Sequence, residues 1–305
     1  MNQLNGKILN KFKILIIGFG SIGKKHFIAA ENNGAEVYVF SKSKFDPEKL
    51  NPKFISKNEI KNSFFNLIII CSDTNRHIDD LIYFLDYGEK FIVEKPLSHN
   101  KLNMNLYSKL SKSRNIFVGF NLRYLEIINF LKDSLNREKV ISIYTQFWDN
   151  CYNWYKGRDL DDVYILNKEK GGGAMLTNYH ELDYIKFITS SEFKYINWLP
   201  FNDDKYSADT YSNLNGKLNN ETIFNSSLWL MSKSRIRIGK AILNDKVVSW
   251  DIDKGLVYYD NKLVFQKDTD YIKTYTDQMI SVLMDINPKS STISSNLNDL
   301  KILFK

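Results

Sequence analysis

The chain has 305 residues, of which 43% are hydrophobic and 25% charged, which is typical of a globular protein and long enough for two domains. Its formal net charge of +7 is spread along the chain without a basic arm, so we expect no nucleic-acid partner. No apolar run reaches the roughly 18 residues of a membrane span, and the first apolar run belongs to a strand rather than to a signal peptide. We therefore expect a cytoplasmic protein without a membrane partner.

The N-terminal segment carries the most informative pattern. An apolar run over residues 13–17 is followed by Gly18, Gly20 and Gly23 in G-x-G-x-x-G spacing and then by a helical pattern. These glycines permit a tight turn, close approach of a pyrophosphate, and close packing of helix on strand. The helix N-terminus adds free N–H groups and a partial positive charge. We predict a dinucleotide site that includes the whole turn: Gly18, Phe19, Gly20, Ser21, Ile22 and Gly23.

The first half of the chain alternates strand and helix patterns. Apolar strands are predicted at residues 37–40, 67–71, 91–93 and 116–118, with helices between them. Residues 79–87 have helical periodicity, and Gly88 is predicted to end that helix as its C′ residue. Continuous apolar strands separated by helices predict a parallel, doubly wound sheet.

Beyond residue 119 the pattern changes. Helices are predicted at residues 124–135, 174–189 and 271–286, and strands dominate residues 140–148 and 195–265. This order predicts an α+β domain with an open, largely antiparallel sheet. The fold class is thus α/β, with a Rossmann domain over residues 1–121 and a substrate-binding and oligomerisation domain over 122–305, whose C-terminal helix could pack back on the first domain.

The end of the second predicted strand bears on cofactor preference. NAD-binding folds usually place an acidic residue there for the ribose 2′-hydroxyl, whereas this chain has Ser41 and Lys42. Hydroxyl and ammonium groups can bind a 2′-phosphate, so we predict NADP, with NAD possible. A solvated polar turn would instead leave dual specificity.

Two side chains are candidates for proton transfer. Lys95 follows a strand, and carboxyl ends of parallel strands face the dinucleotide crevice; a partly desolvated Lys can approach neutrality. His180 follows three glycines, with Asp183 at i+3 and Thr177 one turn earlier on the same helical face. The histidines have no metal-ligand spacing, and no metal is predicted.

Five segments carry a family resemblance, in this order: residues 18–26 (GFGSIGKKH), 71–77 (CSDTNRH), 94–96 (EKP), 119–124 (GFNLRY) and 171–184 (GGGAMLTNYHELDY). With them the chain resembles the glucose–fructose oxidoreductase, inositol dehydrogenase and MocA-type (Gfo/Idh/MocA) family over nearly its whole length. The resemblance implies NAD(P)-dependent hydride transfer at a carbinol carbon of a sugar, cyclitol or nucleotide sugar. It also implies an open sheet that often forms a subunit interface, hence a homodimer or homotetramer.

The resemblance also implies roles for individual residues. Lys95 and His180 match the family's catalytic Lys and His. Five residues match positions around the adenosine and nicotinamide ribose side of the cofactor: Ser72, Thr74, Asn75, His77 and Glu94. Lys95 is also predicted to contact the cofactor. One position departs from the pattern, because Thr177 stands where members often have Asp, and a neutral hydroxyl cannot orient or charge-stabilise a nearby Lys or His.

The loop before the triple glycine resembles a subgroup from surface-polysaccharide or acidic-sugar precursor pathways. Its matching residues are Trp148 or Trp154, Arg158, Tyr164 and Lys168. The cations could bind a carboxylate or phosphate while the aromatics pack on a sugar face, although a solvated loop with packed aromatics fits equally well. The predicted substrate-binding set is Arg123, Trp154, Arg158, Tyr164, Lys168, Thr177, Asn178 and His180.

The resulting hypothesis is an oxidoreductase that transfers a hydride between NADP(H) or NAD(H) and a sugar, sugar acid or nucleotide sugar. Two alternatives stay open. One is a redox-neutral sugar-processing enzyme that restores its nicotinamide in each cycle. The other is a nucleotide-sensing binding protein without catalysis, which Thr177 alone supports.

Overall fold

The computed structural model describes residues 8–42, 48–136, 138–155, 163–286 and 289–304. Two β-sheets with flanking helices form the molecule, which confirms the predicted α/β class. No helix in these ranges is both long enough and apolar enough to cross a membrane.

The first sheet is a Rossmann-like, mostly parallel sheet. Its order is β15-β6-β5-β4-β1-β2-β3, and only β15 runs antiparallel to its neighbour. Its strands are β1 (Lys13–Ile17), β2 (Glu36–Phe40), β3 (Lys53–Phe54), β4 (Phe65–Ile70), β5 (Gly88–Glu94), β6 (Ile116–Gly119) and β15 (Ser291–Thr292). Helices α1 (Ser21–Asn32), α2 (Lys57–Lys61), α3 (His77–Phe84) and α4 (Met104–Leu110) connect them. β1 and β4 are apolar because side chains on both faces are buried.

The second sheet has eight strands and is mostly antiparallel. Its order is β14-β13-β12-β11-β7-β10-β9-β8, with β7 and β10 parallel. The strands are β7 (Val140–Asn150), β8 (Phe193–Asn202), β9 (Asp209–Leu218), β10 (Ile223–Trp229), β11 (Met231–Leu243), β12 (Val247–Asp251), β13 (Leu256–Tyr259) and β14 (Lys262–Gln266). One face of this sheet packs on α5 (Glu126–Leu135), α6 (Ala174–Thr177) and α7 (His180–Thr189).

The C-terminal segment returns to the first sheet. Helix α8 (Tyr271–Leu283) packs on α1 and buries Tyr275 and Met279 in the β1–β2 core, and β15 pairs with β6. Helix α9 (Ile293–Leu303) is the last described element. Residues near both ends of the chain therefore share one core, while the division between residues 121 and 122 stays a prediction.

Two predicted elements differ from the structure. The helical segment ends before Gly88 as predicted, because a 3₁₀ turn over Leu85–Tyr87 continues α3, but Gly88 opens β5 with an extended φ of −143° rather than the left-handed conformation of a C′ glycine. Its lack of a side chain serves packing instead, since a Cβ there would lie 2.7 Å from Cγ1 of Ile68. The helix predicted over residues 174–189 is two helices, which separates Thr177 at the end of α6 from His180 at the start of α7.

Candidate active site

The glycine-rich turn leaves a space at the N-terminus of α1. Gly18 has φ +93°, and a Cβ on it would lie 2.6 Å from the Cys71 carbonyl oxygen; one on Gly23 would lie 2.2 Å from the Gly18 carbonyl oxygen. A Cβ on Gly20 would instead meet no described atom within 4 Å. No described side chain caps α1, so its first N–H groups face this space. The turn thus fits a dinucleotide pyrophosphate.

The other residues of the turn are placed differently. Phe19 is buried and packs edge-on against Phe27 and Phe54, so that it can offer a ligand only its backbone. Ser21 is exposed and Ile22 is half-buried. Ser41 and Lys42 directly follow β2, whose last carbonyl, that of Phe40, accepts a hydrogen bond from Gly18 N at 2.8 Å.

The segment after β4 holds a second group of predicted cofactor residues. The Ser72 hydroxyl is buried and has no hydrogen-bond partner in the described part of the chain. Thr74 is buried beside Gly171, and Asn75 donates from Nδ2 to the Glu169 carbonyl at 3.3 Å. These contacts join this segment to the triple-glycine loop.

His77 braces the same region. Its Nδ1 lies 2.9 Å from the Pro96 carbonyl oxygen and its Nε2 lies 2.9 Å from the Ser72 carbonyl oxygen. Burial lowers the pKa of His77. The ring therefore lies between the loop after β4 and the loop after β5, and in its neutral form it donates its one N–H to one of these two carbonyl oxygens.

Lys95 brings the two sheets' loops together. It follows the last residue of β5 and precedes a cis peptide bond to Pro96. Its Nζ donates to the backbone carbonyl of Thr177 at 2.5 Å. Burial lowers the pKa of Lys95 to about 8, against the opposing charge of Glu94. A buried amine with a pKa near neutrality is suited to proton transfer.

His180 lies beside Lys95, at the first position of α7. Burial lowers the pKa of His180 well below 6.5, and the charge of Lys95 lowers it further. Its Nδ1 is buried and has no partner among the described residues. At neutral pH the site thus pairs an amine that changes protonation with a neutral imidazole.

The residues before His180 are also buried. The Thr177 hydroxyl has no hydrogen-bond partner in the described ranges, while Asn178 donates from Nδ2 to the Ala174 carbonyl at 3.0 Å. The Thr177 side chain leaves Lys95 without a carboxylate at this position. The backbone carbonyl of Thr177 accepts the Lys95 hydrogen bond instead.

Two predicted partners of the site form a structural ion pair. Asp183 accepts hydrogen bonds from Nε and Nη2 of Arg123 at 2.8 and 2.7 Å, and Arg123 also donates to the Lys289 carbonyl at 3.0 Å. Both side chains are largely buried. Asp183 therefore does not orient His180, and Arg123 is left out of the substrate site proposed below.

The loop residues predicted to bind substrate are not brought into one cluster. Trp154 donates from Nε1 to Asp149 of β7 at 2.9 Å, whereas Trp148, on the opposite face of β7 from Asp149, donates to Ser227 of β10. Tyr164 is largely buried, and burial raises its pKa. Lys168 is exposed. Arg158 lies outside the described residues.

Charged residues that the sequence analysis did not single out surround Lys95 and His180. Arg237 donates from Nε to Glu181 at 2.8 Å, and both side chains are buried. Arg235 pairs with Asp149 at 2.5 Å and with Asp253 at 2.8 Å. The sequence does carry a signal for these arginines. Residues at i and i+2 of a strand share one face, and here that face packs on a helix.

Lys25 adds a third cation near the site, on the side of the first sheet. It lies on α1, and burial lowers its pKa, as does the charge of Arg235. Lys25 and Arg237 both lower the pKa values of Lys95 and His180. The protonation of the two candidate catalytic groups is therefore set by residues from both sheets.

No protein-family model matches this chain, and no curated protein sequence matches it. Solved structures do match over nearly the whole length. UDP-N-acetylglucosamine 3-dehydrogenase GnnA from Acidithiobacillus ferrooxidans is 15% identical with a TM-score of 0.73, covering 96% of this chain and 95% of that one. Scyllo-inositol dehydrogenase from Lactobacillus casei with bound NAD(H) and scyllo-inositol is also 15% identical, with a TM-score of 0.72 and coverage of 95% and 94%.

A third match is myo-inositol 2-dehydrogenase from Lactobacillus plantarum, which is 17% identical with a TM-score of 0.73 and coverage of 95% and 94%. At such low sequence identities, the structural similarity shows the fold and nothing more. The resemblance drawn from the five sequence segments is confirmed at that level: the chain has the fold of the Gfo/Idh/MocA-type oxidoreductases.

Proposed function

We propose that the protein is an NAD(P)-dependent oxidoreductase that acts on a hydroxyl or keto carbon of a sugar derivative. One observation carries this proposal. The Lys95 amine, at the carboxyl end of a parallel strand, reaches the backbone of Thr177 and acts electrostatically on His180. An amine and an imidazole that influence each other electrostatically thus lie at the carboxyl end of the parallel sheet, where dinucleotides bind.

In this proposal several segments of the chain would hold the cofactor. The Gly18–Gly23 turn would hold the pyrophosphate, and Ser72, Thr74, Asn75 and Glu94 would lie along the ribose and nicotinamide side. When bound, the nicotinamide supplies the hydride acceptor or donor. Ser41 and Lys42 favour NADP, because a hydroxyl and an ammonium can bind a 2′-phosphate whereas the usual carboxylate would repel it.

Proton transfer is assigned to Lys95. In oxidation the neutral amine takes the hydroxyl proton of the substrate, and in reduction the ammonium returns it to the alkoxide. Such a positioned group contributes about 10²–10⁴-fold to rate. The neutral imidazole of His180 holds the reacting oxygen by a hydrogen bond, and the nearby cations stabilise negative charge that develops on it.

The substrate class is proposed from the site and its likeness to known enzymes. The similar structures are dehydrogenases of a nucleotide sugar and of inositols. Thr177 and Asn178, next to His180, would contact a sugar, sugar acid or nucleotide sugar of polysaccharide precursor metabolism. Trp154, Tyr164 and Lys168 do not form a cluster, and each would offer the substrate a separate contact. We further propose a cytoplasmic homodimer or homotetramer formed through the open face of the second sheet.

The test begins with a thermal-shift screen of NADPH, NADH and a panel of sugars, sugar acids and nucleotide sugars, because ligands of the native state raise its melting temperature. With a substrate found, Lys95→Ala should lower kcat by at least about 10²-fold. It should leave the dissociation constants of both cofactors within about twofold, with NADPH the tighter.

Lys109→Ala, on the exposed side of α4, serves as the matched control. An active Lys95→Ala enzyme would overturn the proposal. Turnover without net consumption of NADPH would identify the redox-neutral alternative instead. Cofactor binding without turnover on any substrate would identify the binding protein that Thr177 suggests.

A further inference from the structure

A buried histidine behind the proposed site has no part in the mechanism above. His26 lies on α1, is fully buried, and places its Nε2 2.8 Å from Oε1 of Glu94, the last residue of β5. The Tyr275 ring of α8 meets the imidazole edge-on, with ring centroids 4.8 Å apart. This contact joins the cofactor-binding helix, the strand that carries Lys95, and the C-terminal helix.

The proton of this contact can be assigned from chemistry. An ionised carboxylate only accepts hydrogen bonds, so Nε2 of His26 carries the hydrogen and donates it. Nδ1 is buried without a partner in the described part of the chain. A bare nitrogen lone pair is less costly there than an unsatisfied N–H, so the hydrogen is placed on Nε2.

Few other contacts hold the Glu94 carboxyl group in place. Its Oε2 accepts a hydrogen bond from the Lys95 backbone N–H at 3.3 Å, and its carboxyl packs against Gly119, where a Cβ would lie 2.7 Å from Oε1. Glu94 is 6% exposed. The His26 donor is therefore its shortest hydrogen bond among the described residues.

The titratable groups influenced by this carboxylate come from several surrounding segments. Each has a pKa on which the Glu94 charge acts: Lys25, Cys71, His77, Lys95, Tyr164 and Tyr275. Among them only Lys95 is assigned to proton transfer. For Lys95 the Glu94 charge is the main influence that opposes burial.

We propose that His26 is a positioning residue that holds the Glu94 carboxylate against Lys95 and thereby sets the proton affinity of the catalytic amine. This inference rests on the proposed function of Lys95. Without the His26 donor, the buried Glu94 carboxylate loses its shortest hydrogen bond and is free to turn away towards water. That movement weakens the negative field at Lys95 and makes its amine easier to deprotonate.

The experiment measures Lys95 directly and needs no substrate. The rate of trace acetylation of Lys95 by isotopically labelled acetic anhydride is followed against pH by peptide mass spectrometry in the full-length protein. Glu94→Gln and His26→Leu should each lower the titration midpoint of Lys95 by about one pH unit, since a nearby opposite charge is worth about that or more. The double variant should show no further decrease, because both act through one carboxylate.

His26→Gln is the conservative control, since its side-chain amide can donate to the same oxygen. It should keep the Lys95 midpoint within about 0.3 unit of the parent, where a loss of the donor would cost about one unit. An unchanged midpoint in His26→Leu, or additive decreases in the double variant, would overturn the proposal.

If His26→Leu does not fold, His26→Gln and Glu94→Gln decide the question. The proposal requires that the midpoint be kept in the first and lowered in the second, and it fails otherwise. Because this measurement is independent of turnover, its failure is distinct from the failure of the proposed enzyme, which an active Lys95→Ala variant would reveal.

Discussion

At the scale of single residues, the pKa of Lys95 decides what the site can do at a given pH. Burial lowers that pKa to about 8, so the neutral amine accumulates above pH 8 and the ammonium below it. Oxidation of a hydroxyl needs the neutral form. We therefore expect the oxidation rate to rise with pH around a midpoint near 8, while reduction, which needs the ammonium, falls over the same range.

Thr177 provides a direct test of the charge balance at this amine. Thr177→Asp places a carboxylate next to the Lys95 ammonium, and an opposite charge favours the charged form. The Lys95 pKa should rise by about one unit or more, and the labelling midpoint or the oxidation limb should move to higher pH.

Thr177→Val, which has nearly the same shape and no charge, serves as the control and should leave that midpoint in place. A midpoint that stays put or falls in Thr177→Asp would show that the side chain at 177 does not face Lys95.

At the scale of the element, Gly20 and Gly23 of the glycine-rich turn have different structural roles. Gly23 packs α1 on the turn, since a Cβ there would lie 2.2 Å from the Gly18 carbonyl oxygen, and a backbone atom cannot yield cheaply. Gly23→Ala should lower the free energy of unfolding by about 3 kcal/mol, measured by urea denaturation.

Gly20→Ala should behave in the opposite way. Gly20 has φ −78°, which any residue can adopt, and the space around its Cβ position is open. The free energy of unfolding should change by less than about 0.5 kcal/mol. Binding of NADPH should weaken at least about tenfold, because the methyl group occupies the space proposed for the pyrophosphate. Equal effects of the two variants on unfolding would contradict this division.

At the scale of the whole molecule, a buried ion pair fastens the C-terminal helix. Nζ of Lys186 on α7 lies 2.6 Å from Oδ2 of Asp299 on α9, and both side chains are almost fully buried. Glu192 also pairs with Lys186 at 2.8 Å, but its side chain is 46% exposed. Burial raises the pKa of Asp299 to about 6 despite the Lys186 charge, which shows how costly these buried charges are.

Removing one side chain of this ion pair should therefore lower the free energy of unfolding more than removing both. Asp299→Leu leaves the Lys186 ammonium buried and should lower the free energy of unfolding by about 3–5 kcal/mol. The double variant Lys186→Met, Asp299→Leu leaves only Glu192, which can turn to water, and should recover most of that loss. A double variant no more stable than Asp299→Leu would contradict this account.

Much of this fold follows from local patterns. The strands β1 and β4 are continuous apolar runs, and the glycine turn and the EKP segment have spacings that specify local geometry. These features place Lys95 at a strand end without any knowledge of the rest of the chain. Gly88 shows the limit, because a glycine after a helical pattern predicts a C′ residue, whereas here it is required by the Ile68 side chain on a neighbouring strand.

The ion-pair partners of residues around the site could not be predicted from local sequence patterns. Asp183 has helical spacing with His180, yet it pairs with Arg123 from a segment 60 residues earlier. Arg237 reaches Glu181 from a strand 56 residues later. Nothing in a short window of sequence distinguishes a carboxylate that orients a catalytic group from one that neutralises a distant guanidinium.

The amino-acid sequence by itself determined the fold class and the glycine turn, because each depends on periodicity or spacing between near neighbours, and it singled out Lys95 and His180 as candidates. The tertiary structure alone decided the protonation of the site. The pKa of a buried amine depends on desolvation and on nearby charges, and here the charges of Lys25 and Arg237, which only folding brings near, add to that of the adjacent Glu94.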